Sequence, residues 1–176
     1  MIKKLNAQAK SIGRIRTVIC AILAVAVAAT LIFIFSNSAK PPVKSEAQSN
    51  GFKDKIEQFI PDDPEISEFI LTNIRKLAHF TEYGLLGIEI SLIFTLFCIK
   101  RKEKYKCAGL SLLFALVVAF FDETVQIFFK RGPAVIDMWI DIGGFFTYSV
   151  LTYILTELAI LAYRCVTKLK IRKNNE

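Results

Sequence analysis

The chain's only histidine, His79, lies in Arg75-Lys76-Leu77-Ala78-His79-Phe80-Thr81-Glu82-Tyr83, and Asp122-Glu123 and the pair Asp137/Asp141 follow in equally apolar surroundings. Imidazole titrates near neutral pH and a carboxylate can orient it, so His79, Glu82, Asp122 and Glu123 are candidates for acid–base catalysis. Two other chemistries fit the same side chains. A divalent cation could sit between His79 and several carboxylates, although no fixed ligand spacing supports one and no metal ligand is assigned. Alternatively, a closed network of both charge signs could bind a polar headgroup or only stabilise the fold, because buried charges persist when paired. No Gly-x-Ser-x-Gly elbow, phosphate loop, HExxH or Rossmann glycine pattern is present.

These groups need elements to carry them. Residues 17–35 contain no charge and are long enough to cross about 30 Å of hydrocarbon as a helix. A cleaved leader would share the basic start but would have a shorter apolar core and a small-residue cleavage site. Further spans are expected at 78–99, 107–129 and 140–163. The expected fold is therefore all-α, a four-helix transmembrane bundle. It divides into a basic tail (1–16), a transmembrane domain (17–163) and a second basic tail (164–176).

The short basic segments set the orientation. Five Lys/Arg precede the first span, five lie in 100–106 and five in 164–173. Four spans put all three segments on one side, which the positive-inside rule makes cytoplasmic. The outer loop, 36–77, opens with Pro41-Pro42 and polar residues, as an irregular exposed stretch would. Phe52, Ile56, Phe59 and Ile60, then Ile66, Phe69 and Ile70, recur at helical spacing on either side of Pro61-Asp62-Asp63-Pro64. They predict a short amphipathic extracellular segment of two helices, lying on the membrane or capping the bundle.

With this topology the polar residues meet at one depth. Arg75, His79 and Glu82, four and three apart, form one stripe on the outer turns of the second span, with Tyr83 at its edge and Glu89 about 10 Å deeper than Glu82. Asp122, Glu123 and Gln126 end the third span, Lys130-Arg131-Gly132-Pro133 makes a tight turn, and Asp137 and Asp141 share a face of the fourth. Ionisable groups at membrane depth cost at least a few kcal/mol each, so they face a bundle interior or a polar cavity and mark function. The candidate ligand-binding set is Arg75, Lys76, His79, Glu82, Tyr83, Asp122, Glu123, Gln126, Arg131, Asp137 and Asp141. Taken singly, several have plainer readings: His79 in the headgroup region, Arg75, Lys76, Lys130 and Arg131 as anchors snorkelling to water, Asp137 on the surface. Asp122-Glu123 resists one, because Phe120-Phe121 precede it and Ile127-Phe128-Phe129 follow it.

Composition narrows the partners. Net charge is +7, yet the basic residues flank apolar segments and build no basic-aromatic surface, which argues against nucleic acid. With 53% apolar residues in 176, membrane lipids are the expected surroundings. Cys20, Cys98, Cys107 and Cys165 form no CxxC pair and are expected to be reduced packing residues near the cytoplasmic half. Gly84, Gly87 and Ser91, with Gly143-Gly144, form small-residue stripes for close helix approach.

Several of these motifs together resemble the VanZ-like family of small bacterial membrane proteins. They are the first span ending in Phe33-Ile34-Phe35-Ser36-Asn37-Ser38, Arg75-Lys76-x-x-His79-Phe80-x-x-Tyr83, Asp122-Glu123-x-x-Gln126, Arg131, and Asp137-x-x-x-Asp141-x-x-Gly144. The family takes its name from a protein that raises resistance to the glycopeptide teicoplanin. The resemblance implies an envelope role in the bacterial cytoplasmic membrane and brings no established reaction or cofactor. It suggests a binding or resistance factor for a polar, lipid-linked cell-wall precursor or glycopeptide-related ligand, or else a membrane-embedded enzyme acting on such a precursor. A proton-coupled transporter fits less well, since four spans leave little room for alternating access unless the chain forms a homo-oligomer. One departure is Tyr148, where a further glycine is expected; it puts the packing of the fourth span in question.

Both termini are expected to be cytoplasmic. Impermeant thiol labelling of single-cysteine variants should mark position 45 from outside and position 104 only after permeabilisation. The reverse pattern would move the polar residues to the inner face.

Overall fold

A computed structural model describes residues 2–59, 63–97, 101–130 and 135–173, and over them the chain is helical with no strand. The order is α1 (Ile2–Ser38), α2 (Pro42–Ile56) with a 3-10 turn (Glu57–Phe59), α3 (Pro64–Phe97), α4 (Arg101–Phe128) and α5 (Val135–Lys173). Four helices are long and apolar enough to cross a membrane, within Gly13–Ser38, Pro64–Leu96, Lys106–Phe128 and Val135–Thr167. Large apolar side chains such as Ile22, Val25, Leu113, Phe120, Trp139 and Leu155 are exposed along them, as lipid-facing surfaces require.

Two expectations for the outer loop are corrected. The stretch after Pro41 is not irregular: α2 starts at Pro42, because proline is well tolerated in a helix's first turn, where its missing N–H has no partner to lose. The second amphipathic segment is no separate helix either. Asp63 caps a helix start, its Oδ1 accepting from the amides of Glu65 (3.0 Å) and Ile66 (3.2 Å). From Pro64 no breaker intervenes, so Ile66, Phe69 and Ile70 are the opening turns of the membrane helix itself. At 34 residues, α3 is about 51 Å long and overruns the hydrocarbon.

α3 is the centre of the bundle, packing most extensively on α5 and next on α1. A side chain at Gly144 would strike the Phe80 carbonyl, one at Gly87 the Phe145 carbonyl, and one at Gly84 the Tyr148 ring. Without Cβ atoms the two backbones touch, and Ser149 Oγ donates to the Gly87 carbonyl at 3.2 Å. Tyr148 does not hold the helices apart. Its ring lies over Gly84 and edge-on to Phe80, with centroids 6.0 Å apart. At the far end of α1, Arg16 donates to the Leu96 carbonyl and ties α1 to α3.

Ile34, Tyr83, Leu86, Ile90, Ala115, Val118, Ala119, Ile142 and Phe145 form the apolar core. α4 ends through Lys130 at a φ of 58°, the left-handed conformation that commonly terminates a helix. The cysteine reading is corrected at one position. Cys20 and Cys165 are free thiols, but Cys107 is disulfide-bonded. Cys98 lies outside the described residues.

The glycine contacts are testable. Gly144→Val should lower the unfolding temperature in detergent, by the roughly 1–3 kcal/mol that overpacking costs. Gly109, where an added methyl group would meet nothing within 4 Å, should accept Ala unchanged. Equal effects would show that α3 and α5 do not depend on backbone contact.

Candidate functional site

α3 contributes Arg75, His79, Glu82 and Tyr83 over its middle turns, α4 contributes Asp122, Glu123 and Gln126 near its end, and α5 contributes Asp137 and Asp141 near its start. The antiparallel course of α3 and α4, and the close approach of α5 to α3, put these turns at one end of the bundle. Four of the groups are essentially sealed from the surface: Asp122, Asp141 and Tyr83 at 0% exposure and Gln126 at 1%.

Gln126 joins the cluster together. Its Nε2 donates to Asp122 Oδ2 and to Glu123 Oε1, both at 3.2 Å, while its Oε1 accepts from the Arg75 guanidinium at 3.0 Å. An amide suits this place because it donates and accepts at once. His79 sits between two helices' carboxylates, its Nδ1 3.5 Å from Asp141 Oδ1 and 3.9 Å from Asp122 Oδ2. Protonated, the imidazole would be paired with both. The Tyr83 hydroxyl, buried beside them, lies in the field of Asp122, Asp141, Glu123 and Glu82.

The expected stripe on α3 is divided between neighbours. His79 faces α4 and α5, whereas Glu82 accepts from Asn37 of α1 through its Oε1 at 2.9 Å. Tyr83 is fully buried and belongs to the core. Asp137 is half-buried one turn nearer the start of α5 than Asp141, and Lys76 is exposed. Arg131 lies outside the described residues. Glu89, deeper on α3, is occupied separately, accepting from Thr30 of α1 at 2.9 Å.

Sequence reasoning missed the part played by α1. Asn37 binds Glu82 and also accepts from Lys40 Nζ at 2.7 Å, and Ser38 is fully buried. A signal existed: a charge-free span ends abruptly in Ser36-Asn37-Ser38, where side-chain hydrogen-bonding groups appear together at the depth of the other polar residues. A cavity of about 550 Å³ between α3, α4 and α5, bordered by Phe94, Leu112, Phe145 and Tyr153 among others, lies elsewhere. It is roughly 20 Å along α4 from Asp122, and its apolar walls suit lipid chains rather than polar chemistry.

A family model described as VanZ/LLP1 matches residues 20–156, a stretch holding all the residues of the cluster. No curated protein and no solved structure matches the chain.

Gln126→Leu should be among the most damaging single substitutions in the cluster. It strips hydrogen bonds from Arg75, Asp122 and Glu123 together, each to a charged group and worth about 1.5–3 kcal/mol. Thr124→Val, which loses only a bond to its own helix's Phe120 carbonyl, is the reference. Equal unfolding temperatures for the two variants would remove Gln126 from the centre of the network.

Proposed function

This chain belongs to the VanZ/LLP1 family, and on that footing we propose that it is an envelope protein whose polar cluster faces the outer leaflet and binds the polar head of a lipid-linked ligand. The ligand class is an anionic, phosphate-bearing cell-wall precursor or a glycopeptide-related molecule, and the physiological consequence is a contribution to teicoplanin-type resistance. The observation that carries this reading is the convergence of three helices' buried polar side chains on Gln126 and His79 at one end of a membrane bundle. Polar groups at membrane depth are retained where they serve a ligand, an ion or a proton. Arg75 supplies the cation: a guanidinium fork matches phosphate or carboxylate oxygens, and its bond to a neutral amide leaves its charge available to an anion.

A second reading has a specific observation in its favour. His79 Nδ1, 3.5 Å from the Asp141 carboxylate, resembles an oriented general base, so the same site could perform proton transfer on a precursor. The two readings differ in what they require of His79, because an amide replaces a hydrogen-bonding imidazole but not a titrating one.

The test uses the full chain in nanodiscs with a polyprenyl pyrophosphate as probe. Wild type should retain it over empty nanodiscs, and Arg75→Gln should weaken binding about tenfold, the loss of one charge-assisted contact of some 1.5 kcal/mol. In cells, His79→Gln at normal protein levels should weaken the phenotype and not abolish it. Absence of probe retention by wild type would overturn binding. Complete loss in a well-inserted His79→Gln, with a lipid product formed only by wild type, would establish the enzyme.

A further inference from the structure

His79 Nδ1 and one carboxylate oxygen each of Asp122 and Asp141 lie within 4.8 Å of one another, brought together from three helices. The separations are informative. At 3.5 and 3.9 Å, Nδ1 stands farther from either oxygen than the roughly 2.7–3.2 Å of an ordinary hydrogen bond, yet close to both. Around an ion with bonds of about 2.1 Å, neighbouring ligand atoms stand some 3.0–3.4 Å apart and opposed ones about 4.2 Å. Small rotations of the two carboxylates close this set on a shared ion.

Independent observations point the same way. The Tyr83 hydroxyl is wholly buried and has no hydrogen-bond partner among the described residues, and the same holds for both oxygens of Asp141. Within a bilayer each such group costs several kcal/mol. A cation would occupy one Asp141 oxygen, and an ion-bound water or the second carboxylate oxygen would receive the tyrosine proton. Two carboxylates also cancel a divalent charge, so the loaded site carries none at membrane depth.

We propose that His79, Asp122 and Asp141 form a divalent-cation site, filled by Zn2+ or Mn2+, whose open coordination positions meet the ligand's phosphate oxygens. The inference rests on reading the cluster as a ligand site and gives that site its recognition chemistry. One imidazole nitrogen and two carboxylate oxygens suit borderline and hard divalent ions and disfavour copper(I), which prefers sulfur. Glu123 and Gln126 are the outer partners: Gln126 donates to Asp122 Oδ2 and to Glu123 Oε1, as surrounding hydrogen bonds orient ligands at metal centres.

The experiment uses the full-length protein purified in detergent, stripped with EDTA and titrated with Zn2+ or Mn2+ alone. Wild type should bind one equivalent, and Zn2+ should raise its unfolding temperature in proportion to the logarithm of concentration. Asp141→Asn and His79→Gln should each lose more than about tenfold in affinity, since even outer partners are worth that much. Glu89→Gln, outside the cluster, should bind as wild type does. Pulsed EPR of the Mn2+ form should show coupling to an imidazole nitrogen that His79→Gln abolishes. Unfolding temperatures in EDTA identify variants that fail to fold, and the wild-type EPR signature decides the matter without them. A wild type with no Zn2+-dependent stabilisation, or with bound Mn2+ lacking nitrogen coupling, overturns the cation site. No lipid is present in this titration, so a metal-free protein that still retains polyprenyl pyrophosphate refutes the cation alone. A metal-binding protein that ignores the lipid refutes the proposed function instead.

Discussion

Gly144 of α5 rests against the Phe80 carbonyl of α3, one residue beyond His79. Asp141 lies three residues before Gly144, on the adjoining turn. How near this aspartate comes to the imidazole is thus set by how near two backbones can come, and that distance exists only while Gly144 carries no side chain. In lipid this matters more than in water, because apolar helices gain little by leaving a medium as apolar as themselves. Close packing and interhelical hydrogen bonds, such as Ser149 to the Gly87 carbonyl, must hold α3 to α5. The small-residue surface and the polar cluster are therefore parts of one construction: the glycines bring α5 in, and that approach sets Asp141 beside His79.

Placing α3 at the centre has a second consequence. A helix flanked on several sides distributes its polar residues among its neighbours, so Glu82 serves α1 and His79 serves α4 and α5. Gln126 then settles the charges on α4, where Asp122 and Glu123 are adjacent in sequence and would repel one another in a low dielectric. Its amide donates to both carboxylates and passes its oxygen to Arg75, which links two acids to a cation without a direct salt bridge.

Much of this was legible because the relevant signals are local and strong. Charge-free or nearly charge-free stretches marked the spans, and spacings of three and four placed Arg75, His79 and Glu82, or Asp122 and Gln126, on shared faces. Antiparallel spans then had to bring those faces to one depth. The failures arose where sequence is ambiguous about continuity or partner. Ile66, Phe69 and Ile70 have the same periodicity whether they open a membrane helix or lie on its surface, and only the Asp63 cap and the uninterrupted run beyond Pro64 decide it. Pro42 reads as a breaker or as a helix start. The Glu82–Asn37 bond depends on which side of α3 receives α1, and helical periodicity says nothing about that. Cys107 is disulfide-bonded, and no CxxC spacing announces it.

The position of the apolar core bears on what kind of site this is. Immediately below the cluster, Leu86 and Ile90 of α3, Ala115, Val118 and Ala119 of α4, and Ile142 and Phe145 of α5 pack together. The next buried acid, Glu89, is turned toward Thr30 on α1 and sits about 15 Å along α3 from His79. Its bond belongs to a different helix pair from those that hold His79. A solute or proton crossing the bundle would have to leave the cluster through this packed layer. A site closed beneath and polar above suits a molecule that approaches from one leaflet, presents its head and keeps its chain in the lipid. In the proposed function, recognition of that head falls to the few side chains that surround His79.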